Sequence, residues 1–364
     1  MKIVHIFWGL GYGGIETMLV NIANAQVLLG EDVHIVIINE LYSKELINGF
    51  NNKVKVYLLN RKLQSKGLGF AFRMNRVLMK IQPDAIHLHA SGLYSFLWRK
   101  KLRRASLVTL HALPTGSVKR VYSYFPFLHK SGNVGNIDKI PVVVSISKAV
   151  KESLSKNYGI NSIVVNNGIL THNFIQRDKQ TCEKPLRVVQ VSRLEHKDKG
   201  QDLLIKAAAK LKGVIHVDFI GDGSSREYLE DLTKSLNAEN YVSFLGTKPQ
   251  AYVSQHLCDY DLFVQSSRYE GFGLTVAEAM ASRVPVLVSE GQGPAEVTCG
   301  IKYGWLFQNG NAEDLAYQIQ YIIDHYNEAS QKATDAQLYV QSKYDVSVTA
   351  KKYINVYKTL LSNT

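Results

Sequence analysis

Residues Asp261–Glu290 read DLFVQSSRYEGFGLTVAEAMASRVPVLVSE, and the order of local signals in them decides the fold. An apolar run, Leu262–Val264, ends in Ser266-Ser267. The loop Glu270-Gly271-Phe272-Gly273 follows, a helix opens at Thr275, and a second β-rich run occupies Val284–Val288. Strand, glycine loop, helix and strand form the repeating unit of a parallel α/β sheet. Such a loop exposes backbone N–H groups at a positive helix end, which suits a phosphate. Glu270 and Glu278 flank it with seven residues between them. Carboxylates repel phosphate, but they accept hydrogen bonds from the hydroxyls of a sugar or ribose. Together these features describe a nucleotide-sugar site. A purely structural alternative exists: Thr275-x-x-Glu278 also fits a capping box, with Glu270 a solvated loop residue.

The wording SRYEGFGLTVAEAMA closely resembles the donor-site signature of glycosyltransferase family 4, retaining enzymes of GT-B fold that carry E-x7-E in the setting SxYEGFGLxxxEAMA. Other stretches support the resemblance over almost the whole chain: Asn167-Gly168-Ile169, Gly221-Asp222-Gly223, Phe244-Leu245-Gly246 and Pro294–Glu296. It implies that Glu270 positions sugar hydroxyls, that Glu278 holds the ribose, and that Gly271, Phe272, Gly273 and Leu274 line the donor. Thr247 and Lys248 lie where family members hold the base, and nothing there separates uracil from guanine.

The chain has 364 residues, a hydrophobic fraction of 46% and no low-complexity tract, enough for two ordinary domains. Its N-terminus lacks the apolar core and cleavage site of a signal peptide. No run approaches the roughly 18 apolar residues of a spanning helix. Cys182, Cys258 and Cys299 are odd in number and far apart, a pattern of neither disulfide framework nor zinc site. The expected location is the cytoplasm, with peripheral contact at the inner face of the plasma membrane. The net charge of +12 is uneven: residues 1–165 hold 22 basic and 8 acidic side chains, and the remainder 21 and 23. Basic clusters at Arg61-Lys62, Arg73–Lys80, Arg99–Arg104 and Lys119-Arg120 lie near Trp98, Tyr122, Tyr124, Phe125 and Phe127. That mixture fits an anionic membrane surface, against the alternative of a solvated basic face. No nucleic-acid motif is visible, so nucleic acid is not an expected partner.

Strands and helices alternate twice over. Ile3–Trp8, Val33–Ile38, Ala85–His89, Leu107–Leu110 and Val142–Ser145 read as strands in the first half, with a helix at Ile15–Leu29. The pattern restarts with strands Arg187–Val191, Val214–Ile220 and Tyr241–Leu245, alternating with helices Gln201–Leu211 and Arg226–Leu236. Continuously apolar strands imply parallel sheets covered on both faces, here two doubly wound domains facing a shared cleft. The expected domains are 1–168 and 169–345, with a polar linker at Leu170–Pro185. The resemblance implies that a C-terminal helix, 346–364, crosses back to the first domain.

Gly9-Leu10-Gly11-Tyr12-Gly13-Gly14 satisfies G-x-G-x-x-G, so an NAD-dependent oxidoreductase is one rival reading; its confirming acid would be Glu40. The resemblance instead makes Gly13-Gly14-Ile15-Glu16 the family's GGxE loop, approaching the donor phosphates. Arg193 and Lys199, in VSRLEHKDKGQDLLIKA, are spaced to reach a diphosphate as a fork and a point charge, with Lys197 a competitor. Their setting is similar to the family's GRLxxxKGxxxLIxA. His111 follows a strand, where the resemblance implies contact with the donor sugar; His87 and His89 are nearby. Asp259-Tyr260-Asp261 spells D-x-D, which we read as structural because Arg193, Lys199 and helix ends already meet diphosphate charge. No metal or other cofactor is therefore expected.

The resulting expectation is a retaining transfer of sugar from a nucleotide-sugar donor to a glycan or lipid-linked acceptor, as in lipopolysaccharide, O-antigen or capsule synthesis. Arg193, Lys199, Glu270 and His111 would be its catalytic residues. A nucleotide-sugar epimerase of the same fold and a non-catalytic adaptor binding through the basic half are the other rivals.

Overall fold

The computed structural model describes residues 1–11, 13–112 and 137–362. Lys119-Arg120 and the aromatics Tyr122, Tyr124, Phe125 and Phe127 lie outside them. The chain divides into two compact units, Met1–Gly168 together with the stretch from Val346, and Ile169–Asp345.

The first unit is built on seven parallel strands: β1 (Lys2–Phe7), β2 (Asp32–Asn39), β3 (Lys55–Arg61), β4 (Ala85–Leu88), β5 (Ser106–Leu110), β6 (Val142–Ser145) and β7 (Ile163–Val164). Their order is β3-β2-β1-β4-β5-β6-β7. Central strands are covered on both faces, as their unbroken apolar wording requires: Ile3, Val4 and Ile6 of β1 and Ile35–Ile38 of β2 are fully buried. The helix Gly14–Leu28 packs Met18, Leu19, Ile22, Ala23 and Gln26 inward, one stripe at i, i+4 spacing. β3 was not expected from the sequence. It is an edge strand, with Lys55 and Asn60 exposed, and those polar positions interrupt its apolar wording.

The second unit has six parallel strands: β8 (Leu186–Val191), β9 (Ile215–Ile220), β10 (Val242–Gly246), β11 (Leu262–Gln265), β12 (Val286–Ser289) and β13 (Trp305–Phe307). Their order is β10-β9-β8-β11-β12-β13. One core joins the strands Val188, Val217, Leu262 and Leu287 to the helix residues Leu204, Ile205, Leu315 and Ile319. The short strand β13 and the helices Ala312–Asp324 and Tyr326–Tyr344 complete the unit beyond the elements expected from sequence.

The stretch Leu170–Pro185 is not a free linker, contrary to its polar wording. Phe174 and Arg177 are buried. The Ile175 amide donates to Ser254 O at 3.0 Å and the Arg177 amide to Ser282 O at 2.8 Å. The guanidinium of Arg177 donates to Asp261 Oδ1 at 2.5 Å. A polar segment becomes a strap when each polar group finds a fixed partner, and sequence alone does not show those partners.

The helix Val346–Ser362 belongs to the first unit. Tyr357 from this helix reaches the sheet interior, its hydroxyl 2.8 Å from His87 Nδ1 and accepting from Gln26 Nε2 at 3.2 Å. His5, His87 and His89 are buried beside it. Burial holds His5 down from 6.5 to about 4 and lowers His87 and His89 as well. Unfolded histidines take up protons first, so this part of the fold is at full strength above pH 6.5 and weakens as pH falls toward about 4. Hydrogen-exchange protection of β1 and β4 should therefore decline across that window; protection unchanged through it would contradict the neutral assignment.

Candidate functional site

All strands of the second sheet are parallel, so the loops that follow them emerge on one edge. Strand order reverses between β8 and β11, and open parallel sheets receive ligands at that reversal. The loop after β8 carries Arg193 and Lys199, and the loop after β11 carries Glu270–Leu274. Thr247 and Lys248 follow β10 on the same edge.

Backbone contact sets the distance between the first two loops. Gly200 has φ +64°, and a Cβ there would lie 2.0 Å from the Ser266 carbonyl oxygen. Glycine alone permits both the conformation and the approach. The Ser266 hydroxyl donates to Gln190 Oε1 at 2.8 Å, and Gln190 Nε2 donates to Lys199 O at 2.9 Å. Arg268 forks onto Asp202 with two bonds of 2.8 Å and donates to His196 O at 2.8 Å. Gln190, Asp202, Ser266 and Arg268 thus position the site, and the sequence reading assigned none of them a role. Asp202 and Arg268 are 66 residues apart, and no local pattern links them.

Lys199 Nζ donates to Glu270 Oε2 at 2.5 Å, with side-chain exposures of 17% and 22%. The two loops therefore meet through opposite charges. Arg193 is exposed, and its guanidinium has no protein partner among the described residues. Its carbonyl accepts from Gln201 Nε2 at 2.7 Å, which fixes the backbone while the side chain extends into solvent. Lys197 is exposed as well.

The helix after the glycine loop runs from Leu274 to Ala281, with Gly273 at its N-cap and φ +97°. It starts one residue earlier than the sequence indicated. Thr275 consequently lies inside the first turn, where its hydroxyl donates to Gln265 Oε1 at 3.3 Å. The capping-box alternative for Glu278 is thereby removed. Glu278 is buried and accepts from Gln250 Nε2 at 2.9 Å. Burial pushes its carboxyl up from 4.5 to about 7, partly opposed by the Gln250 bond. Below the loop, a Cβ on Gly293 would lie 2.4 Å from Gly271 O. The Gly293 amide donates to Glu270 O at 3.0 Å, and the Glu270 amide donates to Gln292 Oε1 at 3.1 Å. Thr247 is exposed, and Lys248 Nζ sits 5.2 Å from the Tyr252 ring centre.

Of the D-x-D carboxylates, Asp261 is buried and committed to folding, and Asp259 sits at the surface. Asp261 takes Arg177 on one oxygen and the Arg187 amide on the other at 2.9 Å, and Asp259 pairs with His256 at 2.8 Å. In the first unit, Gly13 caps and Gly14 begins the helix Gly14–Leu28, with the Thr17 amide donating to Gly13 O at 3.1 Å. Tyr12 is not among the described residues. Glu40, required by the dinucleotide reading, is exposed. His111 follows β5, its Nε2 3.0 Å from His89 Nδ1.

Residues 172–337 match the family described as Glycosyl transferases group 1, and residues 12–172 match Glycosyltransferase Family 4. The chain is 27% identical to the lipopolysaccharide core biosynthesis glycosyltransferase LpsD of Rhizobium meliloti, over 89% of this chain and 88% of that protein. It is 26% identical to 2-deoxystreptamine N-acetyl-D-glucosaminyltransferase of Niallia circulans over 76% of each. Its fold is similar to that of Anabaena Alr3699/HepE, solved in complex with UDP and glucose, with a TM-score of 0.80 at 20% identity over 98% and 99% of the two chains. Matched in both halves and sharing the two parallel sheets, the chain belongs to the GT-B glycosyltransferases of family 4 type and is a transferase enzyme.

Proposed function

We propose that the enzyme transfers a sugar from a nucleoside-diphosphate donor, UDP- or GDP-linked, with retention of anomeric configuration. The observation that carries this reading is the Lys199–Glu270 pair at the strand-order reversal, with Arg193 on the same loop as Lys199 and without a side-chain partner among the described residues. A diphosphate engaging Lys199 and Arg193 sets its sugar next to Glu270, whose second oxygen accepts from sugar hydroxyls. Amides of Gly271–Leu274 at the helix end add fixed positive potential. As the sugar–phosphate bond breaks, charge grows on the departing oxygen, and these groups stabilise it without reorganising. The acceptor oxygen bonds to the anomeric carbon from the same face, and its proton passes to a donor phosphate oxygen. Glu278 accepts from the ribose hydroxyls, Thr247 and Lys248 flank the base, and Gly13, Gly14 and His111 keep the donor contacts implied by the family resemblance. The cationic side chains meet the diphosphate charge, so the proposal needs no metal.

The acceptor we propose is a glycan or lipid-linked glycan at an anionic membrane surface, in lipopolysaccharide, O-antigen or capsule assembly on the cytoplasmic face. Phe72 and Trp98 are 63% and 46% exposed, and their rings meet edge-to-face at 4.5 Å. Around them Arg73, Arg76, Lys80, Arg99, Lys100, Lys101, Arg103 and Arg104 are exposed. Aromatic bodies among cations suit the headgroup boundary. Among the described residues no helix is long and apolar enough to cross a membrane.

Glu270→Ala should cut kcat/KM by roughly 100-fold or more in a donor-turnover assay while the melting temperature holds, and Arg193→Ala should act mainly on kcat. Full activity in either variant removes that residue from the site. Glu278→Gln should raise the donor KM. It should also stabilise the unliganded enzyme as pH rises from 4.5 through about 7, because wild-type Glu278 binds its proton more tightly folded than unfolded and loses that advantage over this range. A melting curve for Glu278→Gln that parallels wild type across the window would contradict the buried carboxyl. Phe72→Ser/Trp98→Ser should abolish co-sedimentation with anionic phospholipid vesicles at low salt; wild-type protein remaining in the supernatant would dispose of the membrane reading.

A further inference from the structure

Ser192 immediately follows β8, at the reversal of strand order, and precedes Arg193. The family pattern GRLxxxKGxxxLIxA has glycine at this position, where this chain carries a hydroxyl. The backbone here is fixed by β9 and the turn after it. The Ser192 amide donates to Ile220 O at 3.0 Å, and a Cβ on Gly221, at φ +140°, would lie 2.0 Å from Ser192 O. Ser192 is half-buried, so its hydroxyl is presented to solvent from a rigid loop.

Two amides meet that hydroxyl. Gln190 Nε2 lies 3.3 Å from Ser192 Oγ and donates to Lys199 O at 2.9 Å. Gln201 Nε2 lies 3.0 Å from Ser192 Oγ and donates to Arg193 O at 2.7 Å. Both glutamines are fully buried. Each orientation is imposed by a carbonyl, because turning either amide over would set its oxygen against that of Lys199 or Arg193. The arrangement holds even though it leaves Gln201 Oε1 without a partner among the described residues. An amide nitrogen donates and does not accept, so Ser192 Oγ receives two N–H groups and both its lone pairs are taken. Its own proton is the bonding capacity that remains, and among the described residues that proton has no acceptor.

We infer that Ser192 is a further donor-binding residue, its hydroxyl giving a hydrogen bond to a non-bridging oxygen of the diphosphate held by Arg193 and Lys199. The inference rests on the glycosyl-transfer reading and adds a neutral ligand to its two cations. A hydroxyl whose lone pairs are filled selects an acceptor. Arg193 is next in the chain, and the Lys199 carbonyl shares the Gln190 amide with Ser192, so the acceptor that local charge favours is an oxyanion. The two amides set the direction of the O–H bond before the ligand arrives, which spares the ordering cost of a freely rotating hydroxyl. Gln190 and Gln201 are positioning residues.

Calorimetric titration of the full-length protein with UDP and with GDP tests this, using whichever nucleotide binds the wild type. Ser192→Ala should raise its Kd roughly 10-fold or more, the size of one hydrogen bond to a charged group. Ser192→Thr keeps the hydroxyl and should stay within about 3-fold of wild type. Ser192→Gly, which lets water reach the two amides, takes the place of Ser192→Ala if that variant fails to fold. Wild-type affinity without the hydroxyl overturns the inference and leaves the transfer reading standing. An equal loss in Ser192→Ala and Ser192→Thr also overturns it, because the effect then belongs to packing. Inorganic pyrophosphate should compete with the nucleotide for wild type and bind Ser192→Ala less tightly by the same factor. Pyrophosphate that does not compete, or that binds the two alike, places the hydroxyl's partner outside the diphosphate and overturns the inference. If the wild type binds neither UDP nor GDP, the transfer reading falls and takes the inference with it.

Discussion

Contact between Gly200 and the carbonyl of Ser266, too close for a single methyl group, governs the geometry of the second unit. It brings the loop after β8 against the end of β11 at the reversal of strand order. Lys199 immediately precedes that glycine, and Glu270 lies four residues beyond the serine. Their meeting at 2.5 Å follows from the backbone approach. Flexible ammonium and carboxylate groups held this way need little rearrangement when a ligand takes the place of one partner.

Two kinds of ion pair share this unit, and burial separates their roles. Arg177–Asp261 is nearly closed to water, and its acceptor also takes a backbone amide. Arg268–Asp202 is bidentate and further tied to the His196 carbonyl. Buried pairs of this kind yield little net stability after desolvation, and their contribution here is orientation. Lys199–Glu270 has fewer supporting bonds, and Arg193 has no side-chain partner among the described residues. Charge left incompletely satisfied at the end of a rigid scaffold is available for substrate.

The first unit solves a different problem. Three imidazoles occupy the middle of its sheet, where aliphatic side chains would normally sit. They are tolerated because Gln26, Thr109 and Tyr357 supply partners, with Tyr353 bonded in turn to Thr109, and both tyrosines come from the C-terminal helix. Returning the chain's last helix to this sheet therefore completes a hydrogen-bond network as well as covering apolar surface. In the second unit the buried carboxyl of Glu278 meets Gln250 alone among the described residues, and burial raises it despite that bond. The same physical effect, burial of an ionisable group, acts with opposite sign on acid and base.

The apolar runs of β1, β2, β8, β9 and β11 were legible because a doubly covered strand must be continuously hydrophobic, and Glu270, Glu278, Arg193 and Lys199 stood out as candidates because they lie within short windows of sequence. Polar edge residues concealed β3, and hydrogen bonds to distant backbone turned Leu170–Pro185 from an apparent linker into a strap. The Arg268–Asp202 fork, the Gln190–Ser266 tie and the Gln26–Tyr357 bond beside the buried histidines left no local trace. By itself the sequence determined the α/β alternation and the residue types of the site, since these depend on neighbours along the chain. Tertiary structure decided which charges are paired and which groups join beside the buried histidines, since those depend on residues 66, 71 or 331 apart that only folding brings within hydrogen-bond distance, and it decided that a carboxyl is raised, since that follows from burial.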